Sequence, residues 1–260
     1  MSDQQPQPTK KERREAARAE RIAQEQASVE AAARRKRLGL FGGLLVAAVA
    51  IVVAAIAISS SGDDSPKAGT VADADKVVKL YDGIKQDGIT LGDPKAKATI
   101  VLFADPQCPF CRDFELTELP GIIEKAVRPG KAKIVLRMRA FLGPDSLTAA
   151  NALYGASEQD KMFTAAGILY HNQGEENSGW VTDDRLRELF AAVPGLDVDA
   201  ALKAADGSVP ERLLGEAETL AGDFGSQSTP DVYVGPREKD AEKVDPTEAA
   251  VVKAVGEIAK

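Results

Sequence analysis

Cysteine is almost missing from this sequence: two residues in 260, at positions 108 and 111. That excludes a disulfide framework as the source of stability, and a pair only three positions apart is too close for an ordinary loop staple. Histidine occurs once, at position 171, so a zinc site built on the two cysteines would need carboxylates to complete four ligands. No metal and no cofactor is expected. A basic stripe is missing as well. The formal charge is −7, and because residues 1–37 hold ten Lys/Arg against six Asp/Glu, a net of +4, the remainder carries −11. An acidic body argues against nucleic acid as a partner.

What is present is unevenly distributed. With 44% hydrophobic and 28% charged residues, the chain can bury a real core, but residues 1–37 have no face with which to build one. They read as a charged tail. From Leu38 to Ile58 run 21 residues without a charge, enough at about 1.5 Å per residue to cross a hydrocarbon layer of about 30 Å. Arg34, Arg35, Lys36 and Arg37 stand directly before this run. The positive-inside bias therefore predicts a single-pass membrane anchor at 38–58, with the N-terminus cytoplasmic and the body extracytoplasmic. Two other readings are a buried core helix and a signal peptide cleaved after Ala57, since Ala55-Ile56-Ala57 has small-x-small form. Anchor and signal both export the body. Residues 59–80 read as a polar spacer, and 81–260 as the folded domain.

Within that domain, Ala98–Ala104 and Lys133–Arg139 are short, β-rich apolar runs. Between them Arg112–Val127 is helical in pattern apart from Pro120-Gly121, so the three form a strand–helix–strand unit with a parallel pair. Residues from about 145 to 225 read as a run of helices, with breaks at His171–Gly179, Pro194-Gly195 and Gly207–Pro210. Thr182 before Asp183-Asp184 is a helix start. Asp231–Val234 returns to strand, and Pro246–Ile258 closes as an amphipathic helix. The fold class predicted is α/β.

Cys108 follows the first strand and should stand at the start of the next helix. Unpaired N–H groups and the helix dipole there favour a thiolate. Pro109 suits the first turn because it has no N–H to lose. Cys111, three residues on, lies on the same face and within disulfide reach. Cys108 is then expected as the exposed attacker and Cys111 as the buried resolver. A fixed, inert bridge is the alternative, although so short a loop gains little from closure.

The segment Phe103-Ala104-Asp105-Pro106-Gln107-Cys108-Pro109-Phe110-Cys111 resembles the active-site segment of DsbA-like thiol–disulfide oxidoreductases of the thioredoxin fold, of the membrane-anchored bacterial type. Asp87–Pro94 resembles that family's approach to the first strand, and the helical stretch resembles its inserted subdomain. Ser228-Thr229-Pro230 resembles its cis-proline loop. The resemblance covers about residues 84–260. It implies a thioredoxin-like fold with a helical insertion, catalytic Cys108 and Cys111, and substrate-backbone binding by Thr229 and Pro230. The partners implied are exported proteins with free thiols and a membrane oxidase of the DsbB or vitamin-K-epoxide-reductase type. Taken alone, Thr229-Pro230 would be expected trans.

Two positions depart from the family pattern. Phe110 stands where strongly oxidising members carry histidine, and Leu102 stands where many carry a buried acid. Both changes remove groups that tune thiol pKa values; the leading expectation is an oxidase of exported-protein thiols acting through a Cys108–Cys111 disulfide, with a reductase or isomerase, or a non-enzymatic anchored peptide-binding module, as the alternatives. Asp105, three residues before Cys108, would raise the thiol pKa if it lay close to the sulfur, whereas as a solvated loop carboxylate it would do little. His171 is expected at a helix end or exposed, and Trp180 at a helix start.

Overall fold

The computed structural model describes residues 71–260. The predicted tail at 1–37, the predicted membrane helix at 38–58 and most of the spacer lie outside the described residues. Among the described residues no helix is long and apolar enough to cross a membrane.

The centre is β3, Ala98–Ala104, whose seven residues are all buried. An uninterrupted apolar run of this kind is what a strand covered on both faces requires. It pairs in parallel with β4, Ala132–Met138, from Ala98↔Ala132 to Ala104↔Met138. On its other side it pairs antiparallel with β5, Asp231–Gly235. Short strands extend both edges: β1 (Gln86–Asp87) and β2 (Thr90–Leu91) beyond β4, and β6 (Glu242–Val244) beyond β5, giving the order β1-β2-β4-β3-β5-β6. The edge strands are two or three residues long, too short for a period to show in sequence.

Alternation divides β3 between two packing layers. Ile100, Leu102 and Ala104 face the main core. Val101 and Phe103 face a smaller cluster with Tyr233, where Phe224 stacks on Tyr233 at 4.4 Å between ring centroids. Helix α2 (Pro109–Thr117) follows β3, then α3 (Leu119–Ile122), which runs on into a π-helical turn at Ile123–Val127. The break falls at Glu118, just before Pro120, whose ring cannot sit inside a continuous helix.

Five consecutive helices form the insertion between β4 and β5: α4 (Pro144–Ser157), α5 (Met162–His171), α6 (Asp183–Ala191), α7 (Val198–Ala204) and α8 (Ser208–Phe224). Every residue of α5 from Met162 to Tyr170 is buried, because the helix packs against both α1 (Ala74–Tyr81) and α2. Thr182 caps α6 by accepting from the Arg185 N–H, and Trp180 packs just ahead of that start against Gly174. Gly225 ends α8 in the left-handed region at φ 65°, the conformation glycine adopts at least cost. Helix α9 (Glu248–Ile258), capped by Thr247, closes the chain.

The folded part begins earlier than the spacer boundary at residue 80 places it. Ala74–Tyr81 is a helix, α1, with Val77 and Tyr81 buried. Its apolar residues are interleaved with Asp75, Lys76 and Lys79 over only eight positions, and its partner α5, distant in sequence, supplies the reason it folds.

Candidate active site

The chain leaves β3 at Ala104 and turns through Asp105-Pro106-Gln107, with the Cys108 N–H donating to the Asp105 carbonyl at 3.0 Å. Cys108 is the N-cap residue of α2, in extended conformation, and Pro109 opens the helix. Two side chains from the insertion strap this turn. Gln173 Nε2 donates to the Pro106 and Cys108 carbonyls at 2.8 and 3.2 Å, and the Tyr170 hydroxyl donates to the Asp105 carbonyl at 3.1 Å.

Asp105 is not a solvated loop carboxylate. It is fully buried, turned toward the β4–α4 loop, and accepts from Gln107 N, Phe141 N, Leu142 N and Ser146 Oγ. Its nearness to Cys108 in sequence suggested a role on the thiol. The backbone N–H groups of residues 141 and 142, invisible to any local motif, draw it away as an anchor.

Facing the cysteines is the loop before β5. The Thr229–Pro230 peptide bond is cis, and the Thr229 carbonyl lies 3.3 Å from Cys108 Sγ. Asp231 holds this loop, accepting from Ser226 Oγ at 2.7 Å and Ser228 Oγ at 3.2 Å while pairing with Lys243 at 2.9 Å. Cys108, Cys111, Thr229 and Pro230 are thus brought together from two separate parts of the chain. His171 is elsewhere, ending α5 and pairing with Asp73, with its side chain 8% exposed.

Both cysteines are free, and both are buried, Cys108 at 5% exposure and Cys111 at 2%. Cys108 is therefore not exposed as the sequence suggested, because the Thr229-Pro230 loop lies over its sulfur. Electrostatics, rather than exposure, separates the pair. The Cys111 thiol donates to the Cys108 sulfur, and the Thr229 hydroxyl and the Cys111 and Phe110 N–H groups add donors. Together they outweigh burial and bring Cys108 down to about 6. The Thr229 carbonyl can only accept, so it favours the neutral thiol. The Thr229 side chain favours the thiolate form of both sulfurs, less than the Cys111 thiol does for Cys108. Cys111 moves the other way: burial, then the neighbouring Cys108, hold its thiol well above the ordinary range.

Phe110 is 70% exposed and provides its N–H but no charge. Phe110→His is expected to lower the Cys108 pKa by about one unit, because an imidazolium beside the sulfur favours the thiolate. Thiolate absorbance followed against pH measures it; an unchanged or raised pKa would show that the side chain at 110 does not reach the sulfur.

Sequence reasoning passed over Glu115, which is 6% exposed and sits four residues after Cys111 on α2. The only local signal was its spacing, since i and i+4 share a helix face.

A family model described as thioredoxin matches residues 85–253. The probable disulfide bond formation protein D of Bacillus cereus is 28% identical over 149 residues, covering 56% of this chain and 68% of the relative. Among solved structures, oxidised BdbD from Bacillus subtilis superposes with a TM-score of 0.58 at 21% identity, covering 68% of this chain and 97% of that one. DsbA from Chlamydia trachomatis gives 0.57 at 20% identity, covering 65% and 90%. The structural likenesses establish the fold, in which Leu102 occupies the central strand and the helices after β4 form the insertion. With the family model spanning most of the chain and the cysteine pair standing between the first long strand and its helix, the chain belongs to the thioredoxin family, as a DsbA-like thiol–disulfide oxidoreductase.

Proposed function

We propose that this thiol–disulfide oxidoreductase works outside the cytoplasm, anchored by residues 38–58, and oxidises thiols of exported proteins. The observation that carries the direction is the contrast at the site: Cys108 held down to about 6 and Cys111 held well above the ordinary range. A stabilised Cys108 thiolate stabilises the reduced form, and a pair whose reduced form is stable oxidises others.

A substrate thiolate attacks Cys108 Sγ of the Cys108–Cys111 disulfide. The intramolecular sulfur–sulfur bond breaks, its electron pair leaves on Cys111, and a mixed disulfide joins Cys108 to the substrate. A second substrate thiolate then attacks the substrate sulfur, and Cys108 departs as a thiolate. The substrate leaves oxidised by two electrons and the protein remains as the dithiol. Thr229 and Pro230 are assigned to align the substrate backbone. A membrane oxidase of the DsbB or vitamin-K-epoxide-reductase type is the partner proposed to restore the bridge.

The three large apolar side chains most exposed among the described residues support a protein substrate. Phe110 adjoins the nucleophile, Phe141 lies in the loop that Asp105 binds, and Leu147 lies on the helix that follows it. The relatives named as disulfide bond formation proteins support the oxidising direction. A second reading, reductase or isomerase, is favoured by one feature: Phe110 places no cation between the cysteines. Equilibration of the soluble body against glutathione buffers decides between them. An oxidase is expected near about −120 mV, whereas a value near about −270 mV would establish the reductase reading. For the anchor, protease added outside intact cells should digest residues 59–260 and spare 1–37. Release of the body without detergent would mean cleavage after Ala57 instead.

A further inference from the structure

Strand β5 is buried along its length and continues after its first residue as Val232-Tyr233-Val234. That first residue is a carboxylate, Asp231, 4% exposed and in register with Phe103 of β3. An apolar side chain would serve the sheet there without the desolvation cost, and an ion pair at such a site does little more than offset that cost. The partners of Asp231 show where the benefit falls. Oδ2 accepts from Ser226 Oγ at 2.7 Å and Oδ1 from Ser228 Oγ at 3.2 Å, so residues 226–231 close on themselves with Thr229 and Pro230 inside the closure. Lys243 Nζ, 2.9 Å from Oδ1, steadies the carboxylate from β6, where the register sets Lys243 opposite Tyr233 and therefore diagonal to Asp231 on one face.

A second tie holds the other end of the same loop. Arg139, one residue beyond β4, donates from Nη1 to the Ser226 carbonyl at 3.2 Å. Its Nε and Nη2 grip Glu218 of α8 at 3.0 and 2.8 Å, the two-pronged arrangement in which a guanidinium is held most firmly. Its own N–H donates to the Ala104 carbonyl at 2.7 Å, which fixes it to the end of β3 from which the Cys108 turn departs. The loop facing the cysteines is therefore tied, at 226 and at 231, to the sheet end that carries the nucleophile. Between the two ties lies the Thr229 carbonyl, 3.3 Å from Cys108 Sγ.

We propose that Asp231 is a positioning residue for substrate: by closing residues 226–231 into a braced loop, with Arg139 as the second tie, it holds the Thr229-Pro230 backbone at the separation from Cys108 that a substrate strand needs. This role rests on the assignment of Thr229 and Pro230 to the substrate backbone. A peptide that pairs with a preformed edge gives up no affinity to ordering it, whereas a slack loop must be ordered anew at each binding event. Asp231 bonds to neither sulfur, so its loss falls on binding rather than on exchange.

The experiment follows reduction of the oxidised full-length protein by a short peptide carrying two cysteines, at increasing concentration, and separately by dithiothreitol, which has no peptide backbone to align. In Asp231→Ala the half-saturating peptide concentration is expected to rise about tenfold, with the limiting rate changing by less than about twofold. The peptide's efficiency relative to dithiothreitol should fall by the same factor, and that ratio cancels any change at the sulfur itself. Asp231→Asn keeps an acceptor oxygen and should recover most of the loss. Ser226→Ala cuts one tie and leaves the Asp231–Lys243 pair in place, so a rise of about threefold is expected from it; this variant carries the test if Asp231→Ala does not fold. Peptide and dithiothreitol rates that fall together, or an unchanged half-saturating concentration, overturn the role. A wild-type rate that climbs linearly with peptide, without saturation, overturns the assignment of Thr229 and Pro230 to substrate and the role of Asp231 with it.

Discussion

Cys111→Ser is expected to accumulate covalent complexes with thiol-bearing proteins through Cys108, and Cys108→Ser to accumulate few. The difference should be near all-or-none, because the two sulfurs differ in acidity more than in exposure. Cys108, held to about 6, is largely thiolate at neutral pH. Cys111 is buried one helical turn further in with its thiol held well above the ordinary range. In the native pair, a mixed disulfide has two exits, attack by Cys111 and attack by a second substrate thiol. Serine closes the first, since a hydroxyl is a far weaker nucleophile at neutral pH. Complexes seen on a non-reducing gel should collapse when reductant is added. Equal trapping by both variants would falsify the assignment of Cys108 as the attacker, and trapping by neither would favour a non-enzymatic peptide-binding module.

The second large effect is structural. Asp105→Ala is expected to destabilise the body by roughly 4 kcal/mol, because it strips acceptors from buried donors that cannot all find water. The carboxylate accepts from Gln107 N at 2.9 Å, Ser146 Oγ at 2.6 Å, Phe141 N at 3.1 Å and Leu142 N at 3.2 Å. Asp105→Asn keeps one acceptor oxygen and should lose less. Urea unfolding of both variants measures the order, and a loss below about 1 kcal/mol for alanine would show that the loop re-satisfies its donors without the anchor. The same change should disturb chemistry, since Gln107 and Ser146 belong to the polar network that seats the turn carrying Cys108.

How much was legible in advance differs from residue to residue. Ala98–Ala104 announced itself because a strand buried on both faces needs an apolar run, and Thr182 because a cap is a local bond to a nearby N–H. Helix α1 was hidden because Val77 and Tyr81 gain their meaning only from α5. Asp105 was misplaced for the same reason: its partners at 141, 142 and 146 are 36 to 41 positions away in sequence. Glu115 looked like one more charged residue on a helix until Tyr81 and Gly167 were seen to enclose it.

The sequence by itself determined the reactive pair, its place between a strand and a helix, and the order of the long strands with the helical stretch between them, because these depend on local spacing and on composition along the chain. The helix start already marked Cys108 as the more acidic sulfur; only the tertiary structure decided what surrounds each of the two. Cys108 and Cys111 are chemically identical thiols three residues apart. The Thr229-Pro230 loop, more than a hundred residues later, lies over the Cys108 sulfur. The fold buries the other beyond the reach of solvent, where charge is costly and a thiol keeps its proton.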